Sequence, residues 1–160
     1  MAKAFRPCTH LLRFLAMAAT IAATSIMATC HETTTFFGVT IKAEFYQSPS
    51  FTFFVVANAI AGAYSLLALF VPPGGLISRW VVVLDVITAM LLTAAMAAAA
   101  AISHVGKKGN EHAGWLPICD EVPKYCNQVM GALISGAIGL LLYTIIVIHT
   151  ITNAVNPLFP

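Results

Sequence analysis

One apolar stretch decides the fold of this chain: residues 80–104 read WVVVLDVITAMLLTAAMAAAAAISH. A helix of about 20 mostly apolar residues crosses the hydrocarbon core of a bilayer, and this stretch is longer than that. Its one charged side chain is Asp85. Because an ionised side chain near a membrane centre costs about 2.5–3.5 kcal/mol on insertion scales, we expect Asp85 to face protein, water or an opposite charge.

The composition of the whole chain leads to the same fold class. Of the 160 residues, 59% are hydrophobic and 9% are charged, and the mean hydropathy is +0.88. In soluble domains about 25% of residues are charged. We therefore predict an all-α integral membrane protein in which residues 1–160 form a single bundle of four transmembrane helices. The predicted spans are residues 11–30, 51–71, 80–104 and 129–151.

Four spans place both termini on one side of the membrane and two outer loops, residues 31–50 and 105–128, on the other. Basic residues are divided evenly between the two sides, so their total does not decide which side is cytosolic. Charges that flank the first span often dominate, and Lys3, Arg6 and Arg13 all lie at its start. We therefore predict short cytosolic termini.

Two local signals refine this topology. The first apolar run exceeds the usual core of a secretory signal, about 7–15 residues, which predicts an uncleaved first helix. The inner loop, residues 72–79, begins with the tight turn signal Pro72-Pro73-Gly74-Gly75. A turn this short makes the second and third spans antiparallel neighbours.

Two cysteines share the second outer loop. Cys119 and Cys126 would form a disulfide in an oxidising compartment, and closing so small a loop contributes about 2.5 kcal/mol on the chain-entropy model. The alternative is two free thiols. A metal site is disfavoured because no matching pair of ligands adjoins them, although His104 and His112 keep that option open. Cys8, before the first span, is either palmitoylated or an ordinary thiol.

Arg13 is the natural partner for Asp85. Counted from the cytosolic end of each span, their depths differ by about 5 Å, which the long Arg13 side chain covers. A bidentate pair would neutralise both charges. The alternative is that Arg13 extends to the headgroups while Asp85 is solvated or protonated. A proton or ion relay would need further ionisable groups, and His149 is the only other candidate in the cytosolic half.

Small residues four positions apart mark faces where membrane helices approach closely. The fourth span has Gly131, Ser135 and Gly139 in one such register, and the second has Asn58 and Gly62. These faces either pack the bundle within one chain or join subunits, most readily through the fourth span. Asn58 should face a neighbouring helix, since an amide that faced lipid would lose its hydrogen bonds.

Several function classes are disfavoured by what the sequence lacks. The net charge of +2 is small and scattered, so no nucleic-acid partner is expected. No C-x-x-C, Ser-His-Asp or two-histidine metal motif appears, so we predict neither an enzyme nor a bound cofactor or metal. A small channel or transporter is the main alternative, but the polar residues of the spans are sparse. The other is a claudin-like barrier protein, which carries its Trp and two Cys between spans one and two.

The pattern of four spans, with an Arg in the first and an Asp in the third, resembles the Casparian strip membrane-domain protein-like family, plant relatives of the MARVEL four-span proteins. Arg13 and Asp85 match the two intramembrane charges of that family. The resemblance covers nearly the whole chain. Its outer-loop residues are Tyr46, Ser48, Pro49, Phe51 and Trp115, with Cys119 and Cys126.

The resemblance implies a plasma-membrane scaffold with cytosolic termini. Such a protein would assemble with itself or with similar four-span proteins, organise membrane domains among the membrane lipids, and recruit extracellular wall-modifying enzymes. The first outer loop lacks the stretch associated with members that build the Casparian strip itself. The resemblance therefore favours the broader strip-protein-like group.

Overall fold

The computed structural model describes residues 2–36, 39–71 and 76–155, and the side chains of residues 9–35, 40, 42–71 and 79–152. In these ranges the chain forms four long α-helices: α1 (Ala2–Ala28), α2 (Pro49–Leu69), α3 (Leu76–Lys108) and α4 (Pro123–Val155). Each helix contains a segment long and apolar enough to cross a membrane: Thr9–Ala28, Pro49–Leu69, Arg79–Lys108 and Pro123–Thr152. The prediction of a four-span helical membrane protein is confirmed.

Helices α1, α3 and α4 are longer than the predicted spans, whereas α2 has the predicted length of 21 residues and begins and ends two residues earlier. The apolar windows measure only the part that crosses hydrocarbon, whereas the helical hydrogen bonds of α3 and α4 continue beyond it. The C-terminal end of α1 is Ala28, two residues before the predicted boundary. The amide of Cys30 donates to the carbonyl of Met27, a tighter turn that closes the helix.

The four helices form a ring in which each packs against two neighbours. Helix α1 contacts α2 and α4, and α3 contacts the same two helices. Helices α1 and α3 therefore occupy opposite corners of the bundle. Helices α2 and α3 are packed neighbours, as the turn signal predicts, although residues 72–75 themselves lie outside the described part of the chain.

A β-hairpin precedes α2, in a segment that the sequence predicts only as an outer loop. Strand β1 (His31–Phe36) pairs antiparallel with β2 (Val39–Glu44), with His31 opposite Glu44. β-branched residues make up half of each strand and favour extended structure. After a single 3-10 turn, Phe45–Gln47, the chain enters α2, whose first residue is Pro49.

The connection from α3 to α4 folds back on the end of α3. Gly109 has a φ of 69°, and a Cβ there would lie 2.6 Å from the carbonyl oxygen of Trp115, so only glycine fits. Asn110 and Trp115 exchange two backbone hydrogen bonds, of 2.8 and 3.0 Å. The amide of Ile118 then donates to the carbonyl of Gly106, 2.9 Å away. We call residues 109–118 the bridged loop. The end of the bundle that carries both the β-hairpin and the bridged loop is called the hairpin end.

Candidate functional site

Arg13 and Asp85 meet inside the bundle. The guanidinium donates two parallel hydrogen bonds to the carboxylate, with N–O distances of 2.9 and 2.6 Å. Arg13 is 4% exposed and Asp85 is fully buried. Such bidentate geometry makes a strong charge-assisted contact and leaves neither charge facing lipid. Because α1 and α3 occupy opposite corners, the pair crosses the bundle rather than joining neighbours.

A third residue, Tyr64 of α2, completes this cluster. Its hydroxyl lies 2.8 Å from an Asp85 oxygen and 3.0 Å from the carbonyl of Val81, so it donates to one or the other. Sequence reasoning did not assign it to the charge pair. The available signal was its position three residues after Ala61, on the small-residue face of α2.

Helices α2 and α4 are joined by a second buried polar contact. Tyr143 is fully buried and donates its phenol proton to the carbonyl of Ala61, 2.7 Å away. Its oxygen also shares a hydrogen bond with the hydroxyl of Ser65. Since the phenol has one proton, Ser65 is the donor in that contact. Both residues sit in the same half of the bundle as the ion pair, so buried polar contacts connect all four helices there.

Asn58 is buried, as expected of an amide inside a span, but it does not bridge two helices. Its amide nitrogen donates to the carbonyl of Phe54 in the same helix, 2.9 Å away. Its carbonyl oxygen has no hydrogen-bond partner among the described residues.

The small-residue faces mostly pack the bundle within the chain. A Cβ on Gly139 of α4 would lie 3.1 Å from Thr20 of α1, and one on Gly62 of α2 would lie 3.3 Å from the same threonine. The Ser135 hydroxyl donates to the carbonyl of Ala19, 3.1 Å away. These three positions are therefore occupied by α1 and are not free to join subunits. Gly131, in the same register, has nothing within 4 Å of an added Cβ.

Two contacts attach the segments outside the helices to the first turn of α4. Cys119 of the segment before α4 is disulfide-bonded to Cys126 of its first turn, with a Cα–Cα distance of 5.6 Å. The carboxylate of Glu32 in β1 accepts a hydrogen bond of 2.7 Å from the amide of Tyr125. A carboxylate there satisfies an amide that has no partner in the helix and interacts favourably with the helix dipole. Sequence reasoning missed Glu32, because only the hairpin brings it to α4.

Beside this attachment lies the thiol of Cys30, which is 1% exposed and donates to the carbonyl of Ile26. Burial raises the pKa of the Cys30 thiol to about 11. Among the described residues, no group of three His, Cys, Asp or Glu side chains is arranged to hold a metal ion.

The outer-loop residues singled out in the sequence fall into two groups. Ser48, Phe51 and Trp115 line a groove of about 390 Å³ at the hairpin end, together with both disulfide cysteines. Tyr46 and Pro49 are exposed and do not line it. The Tyr46 hydroxyl instead donates to the carboxylate of Glu44, which does line the groove.

The chain is similar to known plant membrane proteins over nearly its whole length. The model of the Casparian strip membrane protein domain matches residues 2–142. The chain is 49% identical to CASP-like protein 1C2 of Populus trichocarpa over 158 residues, covering 99% of this chain and 98% of that protein. It is 54% identical to CASP-like protein 1C1 of Sorghum bicolor over 158 residues, with the same coverage. CASP-like protein 1C1 of Arabidopsis thaliana is 44% identical over 91% of this chain and 89% of its own length. No solved structure matches.

Proposed function

Because this chain belongs to the Casparian strip membrane protein domain family, we propose that it is a non-enzymatic scaffold of the plant plasma membrane. It self-associates or assembles with similar four-span proteins, organises membrane domains and recruits wall-modifying partners. Both termini are cytosolic, so the hairpin end faces the cell wall and its disulfide lies in an oxidising compartment.

The observation that carries this proposal is how the intramembrane polar groups are used. Arg13, Asp85 and Tyr64 satisfy one another, and Ser65 and Tyr143 form a second closed contact. A channel or transporter needs such groups to line a path for its substrate. Here they bind helix to helix, which is what a rigid membrane scaffold requires.

The hairpin end provides a surface suited to a partner outside the membrane. The disulfide and Glu32 hold it against α4, so a partner would bind an ordered surface. Large side chains remain exposed on it: Tyr46 is 62% exposed, Trp115 58% and Leu116 82%. Exposed aromatic residues are the type that anchors protein–protein interfaces.

Self-association needs a face that the bundle does not use itself. The sequence favours α4, but α1 occupies Ser135 and Gly139. The exposed face of α3 offers Ala97 and Ala101, four positions apart, with Ala94 one turn before them. Small residues at this spacing allow two membrane helices to approach closely. We therefore assign the contact between copies to α3.

The test uses two populations of the full chain, labelled with donor and acceptor fluorophores and reconstituted together in lipid vesicles. Energy transfer above that of a monomeric membrane protein at equal density is expected. Ala97→Phe should lower it several-fold because the larger ring keeps the helices apart. Ala63→Phe is the matched control, since Ala63 is an exposed alanine on α2. Equal transfer in both variants would reject the α3 contact, and background transfer in the unmodified chain would reject self-association.

A further inference from the structure

The groove at the hairpin end begins at the depth of the membrane. It lies between β2, the start of α2, the end of α3, the bridged loop and the start of α4. Ile102 and Val129 line it, and both belong to segments long and apolar enough to cross a membrane. Trp115 and Leu116 line its side from the bridged loop. An occupant that contacts all of these surfaces has to be partly apolar, and the lipid leaflet at this end of the bundle would be its nearest source.

The charge of the groove narrows the chemistry of that occupant. Among the described residues that line it, only Glu44 is charged. Trp115 and Tyr125 line the same groove and contribute aromatic rings. Aromatic rings attract quaternary ammonium groups, and a carboxylate that lines the same groove adds attraction for a cation. An anionic headgroup would instead be repelled by Glu44.

We propose that this groove binds a choline phospholipid from the leaflet on the hairpin side. The trimethylammonium group lies at Glu44 and Trp115, and the upper part of one acyl chain runs along Ile102 and Val129. Ligand pockets usually measure about 300–1000 Å³. A volume of about 390 Å³ therefore suits a headgroup and part of one chain rather than an entire two-chain lipid.

Four exposed lysines adjoin lining residues along the chain without lining the groove themselves, and they do not change this choice. Lys42 precedes Ala43, Lys107 and Lys108 follow Gly106, and Lys124 precedes Tyr125. Their ammonium groups would attract the phosphate of any phospholipid. Glu44 is therefore the residue that separates choline lipids from anionic ones.

Tryptophan fluorescence tests the proposal directly, because the chain has two tryptophans. In the Trp80→Phe protein, Trp115 is the only one. The full chain is reconstituted in vesicles with increasing fractions of nitroxide-labelled phosphatidylcholine or phosphatidylglycerol. Quenching of Trp115 gives an association constant for each lipid, and we call the value for phosphatidylcholine divided by that for phosphatidylglycerol the Trp115 ratio. We expect this ratio to be about two to five, the range of exposed cation–π and ion-pair contacts. Glu44→Gln should bring this ratio close to one.

Two controls separate a site from the general lipid environment. Trp115→Phe leaves Trp80, which lies at the other end of α3 and is 63% exposed, and its ratio should be the same with and without Glu44→Gln. Ser103→Phe puts a large ring into the groove and should lower the Trp115 ratio while Glu44 is still present. A Trp115 ratio near one, a preference for phosphatidylglycerol, or a choline preference that survives Glu44→Gln would overturn the proposal. If Glu44→Gln does not fold, the Ser103→Phe result decides.

Discussion

Arg13 and Asp85 lie on helices at opposite corners of the bundle, yet their side chains meet in two hydrogen bonds of 2.9 and 2.6 Å. Each charge depends on the other, because removing one partner of a buried pair costs about 3–5 kcal/mol. The pair therefore selects which faces of α1 and α3 turn inward, and Tyr64 adds the same constraint on α2.

Exchanging the two charges tests this constraint. Arg13→Asp and Asp85→Arg each bury two like charges, so each should lower the folded fraction in the membrane by the equivalent of about 3–5 kcal/mol. The double variant restores an ion pair and should recover part of the loss. We expect the recovery to be partial because position 85 no longer accepts a hydrogen bond from Tyr64, whose hydroxyl is left with the carbonyl of Val81 as its acceptor. Size-exclusion chromatography of a fluorescent fusion measures the folded fraction.

Tyr64→Phe is the reference variant against which the losses in the charge-exchange experiment are compared. It removes one hydrogen bond and leaves the ion pair, so the loss should be about 1 kcal/mol. If the double variant is no better folded than either single variant, the ion pair does not determine the packing of α1 against α3.

Two glycines of α4 should respond oppositely to alanine. A Cβ on Gly136 would lie 2.6 Å from the buried ring of Phe54, so Gly136→Ala should destabilise the fold by about 1–3 kcal/mol. A Cβ on Gly131 meets nothing within 4 Å, so Gly131→Ala should be neutral or stabilise by up to about 1 kcal/mol through helix propensity. Thermal unfolding in detergent compares the two. Equal effects would contradict the close approach of α2 and α4 at Gly136.

Removing the disulfide should loosen the hairpin end and leave the bundle intact. The Cys119→Ser, Cys126→Ser double variant loses loop-closure stabilisation of about 2.5 kcal/mol. Hydrogen exchange should therefore rise in residues 109–122, with little change within the membrane spans. Reductant should have the same effect on the unmodified protein and none on the double variant. Unchanged exchange in both cases would show that the two thiols are not bonded.

Cys30 should make stability depend on pH in the alkaline range. Its pKa rises from 9.0 to about 11 in the folded chain, so the buried thiol is the favoured form. The unfolded chain loses the thiol proton first, so the stabilisation is complete below pH 9 and falls between about pH 9 and 11. Cys30→Ala should remove this part of the pH dependence. Unfolding temperatures of both proteins from pH 8 to pH 11 measure it, and parallel curves would refute the buried thiol.

The sequence predicts the parts of this fold that depend on one helix at a time. Apolar windows identify the four spans, and the isolated charges at Arg13 and Asp85 identify each other because few other groups in the spans can neutralise them. Depth along a helix axis follows directly from residue spacing. Such features need no knowledge of which helices are neighbours.

Contacts that depend on the rotation of helices are harder to predict. Spacing places Ser135 and Gly139 on one face of α4, but it does not say whether α1 or another subunit covers that face. Glu32 reaches α4 only because residues 31–44 form a hairpin, a pairing with no turn signal as clear as Pro72-Pro73-Gly74-Gly75. Tyr64 likewise becomes a partner of Asp85 only because of the rotation of α2 and α3 about their axes, which the turn between them does not determine.

The proposed scaffold is tested most directly by the number of subunits in a native-like membrane. The full chain, carrying one fluorophore per copy, is extracted with its surrounding lipid into polymer-bounded nanodiscs, and photobleaching steps are counted in each disc. Two or more steps per disc are expected, falling towards one for Ala97→Phe and staying unchanged for Ala63→Phe. Single steps at every density would contradict self-association, and with it the proposal that this chain is a scaffold.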